Sequence, residues 1–125
     1  MDCSVKIVIY TKNSEQKKFL LAKTGNSWGF VRGVSDRREQ PYTAGIRAVE
    51  AGTGIKHFKR YEYLGEVRHS GEKSWDDVFS MFVEKQETVP GNGYSEQEWF
   101  SYAEAFQKLS DHDKRILNSV NSKPA

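Results

Sequence analysis

The stretch from Gly33 to Ile55, GVSDRREQPYTAGIRAVEAGTGI, constrains the fold of this chain more than any other. It opens as a loop rich in glycine and charge and continues as a helix from about Gln40 to Ala51, which Gly52 and Gly54 close. Within it Tyr42, Ile46, Val49 and Thr53 form an i, i+4, i+7 stripe, the face expected to rest on a sheet. A loop leading into a helix also leaves backbone N–H groups at a surface where they can face an anion.

The flanking segments supply that sheet. Val5 to Thr11, VKIVIYT, is β-branched and aromatic with few polar interruptions, as in a strand covered on both faces. Lys12 to Lys18 is polar, with Asn13 and Ser14 as turn formers, and Phe19-Leu20-Leu21-Ala22 resumes as the hairpin partner. Gly25-Asn26-Ser27 then breaks the chain before Trp28. After the helix, Ile55 to His69 is a strand candidate with Phe58, Arg60, Glu62 and Leu64 on one side and His57, Lys59, Tyr61 and Tyr63 on the other. Its cations interleaved with aromatics are the residue types of a nucleic-acid surface, and an amphipathic strand with a solvated basic face gives the same string.

Ser70 to Lys73 reads as a turn, Trp75 to Val83 as another buried strand, and Gln86 to Ser95, with Pro90, Gly91 and Gly93, as a long loop. Glu96 to Phe100 is a last strand. Ser101 and Glu104 form a capping box, and Ser110 to Asp113 a second before a final helix, Lys114 to Asn121, in which Ile116, Leu117 and Val120 point inward. Residues 122–125 are expected to fray. One domain over residues 1–125 follows, an α/β sandwich with a mixed sheet and helices on both faces.

With 19 basic and 17 acidic residues, net charge argues for neither nucleic acid nor membrane, so partners must be sought in local clusters. A single cysteine, Cys3, excludes an intramolecular disulfide. His57, His69 and His112 share no metal-ligand spacing, and no Ser/His/Asp set, P-loop or GxGxxG is present. The N-terminus lacks the pattern of a signal peptide and no apolar run approaches about 18 residues, so the expectation is a cytoplasmic protein with no membrane partner.

The central stretch resembles the signature of the Nudix (MutT-like) hydrolases, G-x(5)-E-x(7)-R-E-U-x-E-E-x-G-U with U aliphatic. Gly33, Glu39, Arg47, Val49, Gly54 and Ile55 stand in place without insertion or deletion. Trp28-Gly29-Phe30-Val31-Arg32-Gly33 looks like the W-x-F-P-K-G opening of the diadenosine polyphosphate and RNA 5′-end branches, with Val31 for proline and Arg32 for lysine. Trp99, Glu104 and Ala105 resemble a third passage, E-x-x-W-x-x-x-E-E-A, and the likeness covers about residues 5–120. It implies the Nudix fold, an α/β/α sandwich with a cleft beside the signature loop, and a salt bridge between Arg47 and Glu39. In that cleft Arg32, Arg37, Arg38 and Lys56 would meet phosphates, and Trp28 or Tyr94 would flank a base.

Three signature positions depart from the family. Its glutamates, which hold magnesium or manganese and help activate water, are here Ala48, Ala51 and Gly52, and none of these can ligate a metal. Related as i, i+3 and i+4, they are expected on one helical face, with Glu50 pointing elsewhere. The expectation is a catalytically impaired Nudix protein that recognises a nucleotide, a dinucleoside polyphosphate or an RNA 5′ end and needs no metal. The alternative is a residual pyrophosphohydrolase acting on a nucleoside diphosphate linked to another moiety. It would use magnesium or manganese in a rearranged site drawing on Glu39 and Glu98, with Glu50 or Glu96. A third reading is a protein-interaction module with a vestigial cleft.

Overall fold

The computed structural model describes residues 3–36, 38–68, 75–86 and 94–122. Its central strand is β1 (Cys3–Asn13), which pairs antiparallel with β2 (Gln16–Thr24) and β4 (Val31–Ser35) and parallel with β6 (Trp75–Phe82). Both faces of β1 are covered, as its composition requires: Val5, Ile7 and Ile9 enter one apolar cluster, Val8 and Tyr10 the other. The hairpin to β2 turns through Ser14 and Glu15 alone, with Ser14 at φ 60°. The strands therefore extend further into the polar run than expected.

With β3 (Ser27–Gly29), β5 (Arg60–Arg68) and β7 (Glu96–Ser101), the sheet runs β3-β2-β1-β6-β5, with β4 on β1 and β7 on β2. Along one edge of β1, residues 3–7 pair with β4 and residues 9–13 with β2. The sheet thus divides into two arms, β4 on one side and β2, β3 and β7 on the other. The wedge between them is the cleft described below.

Helix α1 (Pro41–Thr53) begins after an extended Gln40 with proline in its first turn, and ends where Gly54, at φ 78°, donates its N–H to the Glu50 carbonyl. It runs past Ala51, so Gly52 lies inside the helix. Its buried face keeps only half of the expected stripe. Val49 and Thr53 are buried together with Ala44, Gly45, Ala48 and Gly52, whereas Ile46 is only partly so and Tyr42 is 49% exposed. The cause is close approach to the sheet: a Cβ on Gly33 would come within 2.6 Å of Ala48 Cβ, and one on Gly45 within 2.0 Å of Tyr61 Oη. Only small residues fit at that separation.

Strand β5 starts at Arg60, not in the basic run before it, and a bulge between Tyr63 and Gly65 breaks the expected alternation. Phe58 and Tyr61, expected on opposite sides, both pack on the α1 side. Tyr61 stacks on Phe79 with centroids 4.9 Å apart and donates its hydroxyl to the Tyr42 carbonyl at 2.9 Å, while Phe58 lies 5.6 Å from the Tyr61 ring. Burial pushes the Tyr61 phenol far above its usual range. Tyr61 is thus a core ring, not a platform for bases.

On the opposite face, α2 (Tyr102–Lys108) and α3 (Asp111–Asn121) cover Val8, Phe19, Leu21, Phe30 and Phe100. The Ser101–Glu104 capping box forms as read. Ser110 Oγ accepts from the Asp113 N–H at 3.3 Å, so the last helix begins at Asp111 and not at Lys114. Ile116, Leu117 and Val120 are buried, each contributing on the order of 1.5–3 kcal/mol relative to exposure. Helices thus cover both faces of a mixed sheet. The expected turn at 70–73 and most of the loop at 86–95 lie outside the described residues, as do residues 123–125 of the tail.

Candidate functional site: the cleft where the sheet divides

The wedge between the arms encloses about 520 Å³ and is lined by Trp28, Arg32, Tyr94, Lys6, His112 and Asp113 among others. Trp28, on β3, packs edge-on against Phe100 with centroids 5.2 Å apart, and the ammonium groups of Lys23 and Lys108 lie 5.6 and 5.8 Å from its ring. Arg32 stands opposite Lys6 in the β1–β4 register, with an exposed side chain.

Tyr94 spans the wedge. Its hydroxyl accepts the Arg32 backbone N–H at 2.9 Å, and its ring lies so close to α1 that a Cβ on Gly52 would be 2.7 Å from Cε2. Gln97 donates its side-chain amide to the Gly52 carbonyl, tying β7 to the same turn of the helix. Tyr94 thus holds β4, β7 and the C-terminal half of α1 together.

The loop before α1 is fixed by a fork. Arg47 Nε donates to Glu39 Oε2 at 2.8 Å and Nη2 to Glu39 Oε1 at 2.6 Å, and Nη2 also reaches the Val34 carbonyl at 2.8 Å. The Arg47 hydrogen bonds hold the Glu39 carboxyl below its usual range, against a smaller opposing contribution from burial. Asp36 closes the turn by accepting the Arg38 N–H at 2.9 Å.

A profile of the NUDIX domain matches residues 4–120. The chain belongs to the Nudix family. Among solved structures it resembles the NUDIX domain of Shewanella oneidensis NrtR complexed with ADP ribose, at 20% identity and a TM-score of 0.79 over 94% of this chain and 84% of that one. It also resembles a C. elegans Ap4A hydrolase binary complex, at 16% identity and 0.78 over 96% and 95% of the two chains. A third is the C-terminal domain of mouse MUTYH in its complex with human PCNA, at 17% identity and 0.75 over 96% and 87%. At these identities the likeness shows the fold alone. No curated protein sequence gives a significant match.

In this Nudix domain the three positions expected to share one helical face do not share one environment. Ala48 packs towards Gly33, Gly52 lies beneath Tyr94, and Ala51 is exposed. None carries an oxygen donor in its side chain, and no group of three His, Cys, Asp or Glu that could hold a metal ion occurs among the described residues. Glu39 is committed to Arg47. Glu98 is exposed on β7 opposite Leu21, which packs on the α2–α3 side, so the two acids are not brought together. The described residues do not bring together the oxygen donors that a magnesium or manganese site needs.

Of the residues expected to meet a ligand, the cleft brings together Trp28, Arg32 and Tyr94. Arg38 is exposed on the signature loop, Lys56 lines a different recess, and Arg37 lies outside the described residues. Sequence reasoning missed a buried charge cluster in the cleft wall. Lys6 Nζ donates to Asp113 Oδ1 at 2.6 Å and lies 3.5 Å from Asp76 Oδ2, which is 3.6 Å from His112 Nε2. Lys6, Asp76 and Asp113 are 4, 0 and 6% exposed. The signal was available: a lysine in the middle of a strand covered on both faces must find a buried partner. No helix among the described residues is long and apolar enough to cross a membrane.

Proposed function

We propose that this Nudix domain recognises a nucleotide, a dinucleoside polyphosphate or an RNA 5′ end in the cytosol and does not hydrolyse it. The observation that carries this reading is the placement of Tyr94. Its ring lies over Gly52, 2.7 Å from where a Cβ on that residue would stand, so any longer side chain there would have to displace it, and its hydroxyl is held by the backbone of Arg32. The same residue completes a cleft whose other walls supply an aromatic surface, Trp28, and an exposed guanidinium, Arg32, suited to a base and a phosphate. Similar folds bound to ADP ribose or named as Ap4A hydrolases support the ligand class.

The test is thermal stabilisation by nucleoside di- and triphosphates, dinucleoside polyphosphates and capped RNA, with and without magnesium. A true ligand at about 100 times its dissociation constant adds roughly 2.7 kcal/mol, here without metal, and Trp28→Ala or Arg32→Ala removes the shift. Magnesium- or manganese-dependent turnover above background, lost in Glu39→Gln or Glu98→Gln, would overturn the proposal.

A further inference from the structure

A second recess, of about 610 Å³, lies between the chain leaving α1 and the end of β6. Its floor is apolar: Val83 is 2% exposed, and Ile55 and Phe58 pack half-buried on the α1-side core. Its rim carries Lys56, Lys59 and Lys85 with His57, against a single acid among the described residues, Glu84. Glu84 lies 3.7 Å from Lys59, but both side chains are 62% exposed, so water screens the pair. Lys56 and Lys85 have no ion-pair partner among the described residues.

The recess is separate from the cleft. Lys6 lines the cleft, whereas Val83 in the recess donates its N–H to Tyr10, four residues further along β1 and about 13 Å away at a strand's rise per residue.

We infer that this recess binds the backbone of a single-stranded nucleic acid, one base resting on the Ile55–Phe58 floor and the neighbouring phosphates meeting the lysine rim. Both halves of the surface are then used. A purely acidic chain would leave the apolar floor unused, and a duplex keeps its base faces stacked inside. The volume suits one nucleotide unit, within the roughly 300–1,000 Å³ of small-ligand sites. Point-charge lysines around an apolar floor give recognition that tolerates any base. The inference does not depend on what the cleft binds.

Anisotropy of a fluorescent decauridylate at low salt tests it, with uridine monophosphate and a decaglutamate peptide as competitors. The decamer is expected to bind and to be displaced by neither competitor at matched concentration. The Lys56→Glu, Lys85→Glu double variant should weaken it about tenfold or more. The plot of log affinity against log salt should become shallower by about 1.4, two contacts at roughly 0.7 each for single strands. Arg115→Glu, a charge reversal on the exposed side of α3 away from both sites, should leave this binding unchanged, and the double variant should keep the parent's melting temperature and any nucleotide response of the cleft. The inference is overturned if the parent fails to bind the decamer, if the double variant binds it undiminished, if Arg115→Glu weakens it equally, or if decaglutamate competes as well as unlabelled decauridylate.

Discussion

The two faces of β1 are closed by opposite means. On the α1 side Val5, Ile7 and Ile9 meet a helix that comes close because side chains have been removed, at Gly33, Gly45 and Gly52. On the α2–α3 side the same strand adds to the apolar cluster around Val8 and Tyr10 a lysine, Lys6, turned inward between two aspartates, so that part of the contact is closed by pairing charge. One face is limited by volume and the other by electrostatic balance, and each should fail in its own way when disturbed.

The largest effect is expected on the charged face. Lys6→Met keeps the length and most of the volume of the side chain but leaves Asp76 and Asp113 without their shared cation, in a site where both are buried. Loss of one partner of a buried pair costs about 3–5 kcal/mol, read as a lower urea midpoint. Lys6→Met with Asp113→Leu should be less destabilised than Lys6→Met alone, because fewer orphaned charges remain. Equal loss in the single and double variants would mean that packing, not charge, closes this face.

The apolar face should respond to a single methyl group. Gly45→Ala places a Cβ 2.0 Å from Tyr61 Oη. That hydroxyl cannot step aside freely, because Tyr61 is stacked on Phe79, lies 4.5 Å from the Tyr42 ring and donates to the Tyr42 carbonyl. Overpacking of this kind costs about 1–3 kcal/mol, and the gain of up to about 1 kcal/mol in helix propensity offsets only part of it. In a Tyr61→Phe background the nearest remaining ring atom is 3.3 Å away, and the same substitution should be close to neutral or stabilising. Calorimetric melting of the four proteins checks the change of sign.

These contrasts also show what could be read from residues alone. The succession of hydrophobic runs that form strands, the Ser101–Glu104 capping box and the Glu39–Arg47 pair were legible, because each is a local pattern or a spacing within one motif. The buried face of α1 was legible only at Val49 and Thr53: the large side chains of Tyr42 and Ile46 outweighed Ala44, Gly45 and Ala48 in a periodicity argument, although the depth of the sheet contact selects the small ones. The strand reading of 55–69 failed at Phe58 because the strand begins only at Arg60, and beyond Tyr63 because a bulge shifts parity, which nothing local announces except Gly65. Trp28, Arg32 and Tyr94 were nameable in advance, yet the contact of Tyr94 with Gly52 joins residues 42 apart in sequence, which no motif contains. The Lys6 cluster, drawn from β1, β6 and α3, was hidden for the same reason.

A smaller effect is expected at Gly52, where the neighbour is Tyr94 and not a locked core ring. Gly52→Ala puts a Cβ 2.7 Å from the Tyr94 ring, and the helix propensity it gains, up to about 1 kcal/mol, should nearly balance the displacement of that ring. Restoring Ala48→Glu, Ala51→Glu and Gly52→Glu together should therefore yield little manganese binding while Tyr94 is present and more in a Tyr94→Ala background. Titration calorimetry of the triple and quadruple variants decides this, and equal binding in both would remove Tyr94 from the account of the altered site.

The smallest and most pH-specific effect belongs to the exposed fork at the start of α1. The Glu39 carboxyl is held below its ordinary value of 4.5, chiefly by the Arg47 hydrogen bonds. A carboxyl depressed in the folded state contributes stability that is full above the unfolded value and is lost as pH falls through the folded one. Glu39→Gln should therefore melt slightly lower than the parent at neutral pH, and the difference should shrink below pH 4.5 as Glu39 itself becomes protonated. The parent keeps a further acid-sensitive contribution from Glu104, whose carboxyl is depressed by the Ser101 hydroxyl of the capping box. Its melting temperature should thus fall in acid even in the Glu39→Gln variant, but less steeply. Arg47→Lys should behave like Glu39→Gln, since an ammonium cannot reproduce the two-pronged contact and still reach the Val34 carbonyl. A Glu39→Gln deficit that stays constant from pH 7 to about pH 3 would show that the loop is held by shape and not by the charge on Glu39.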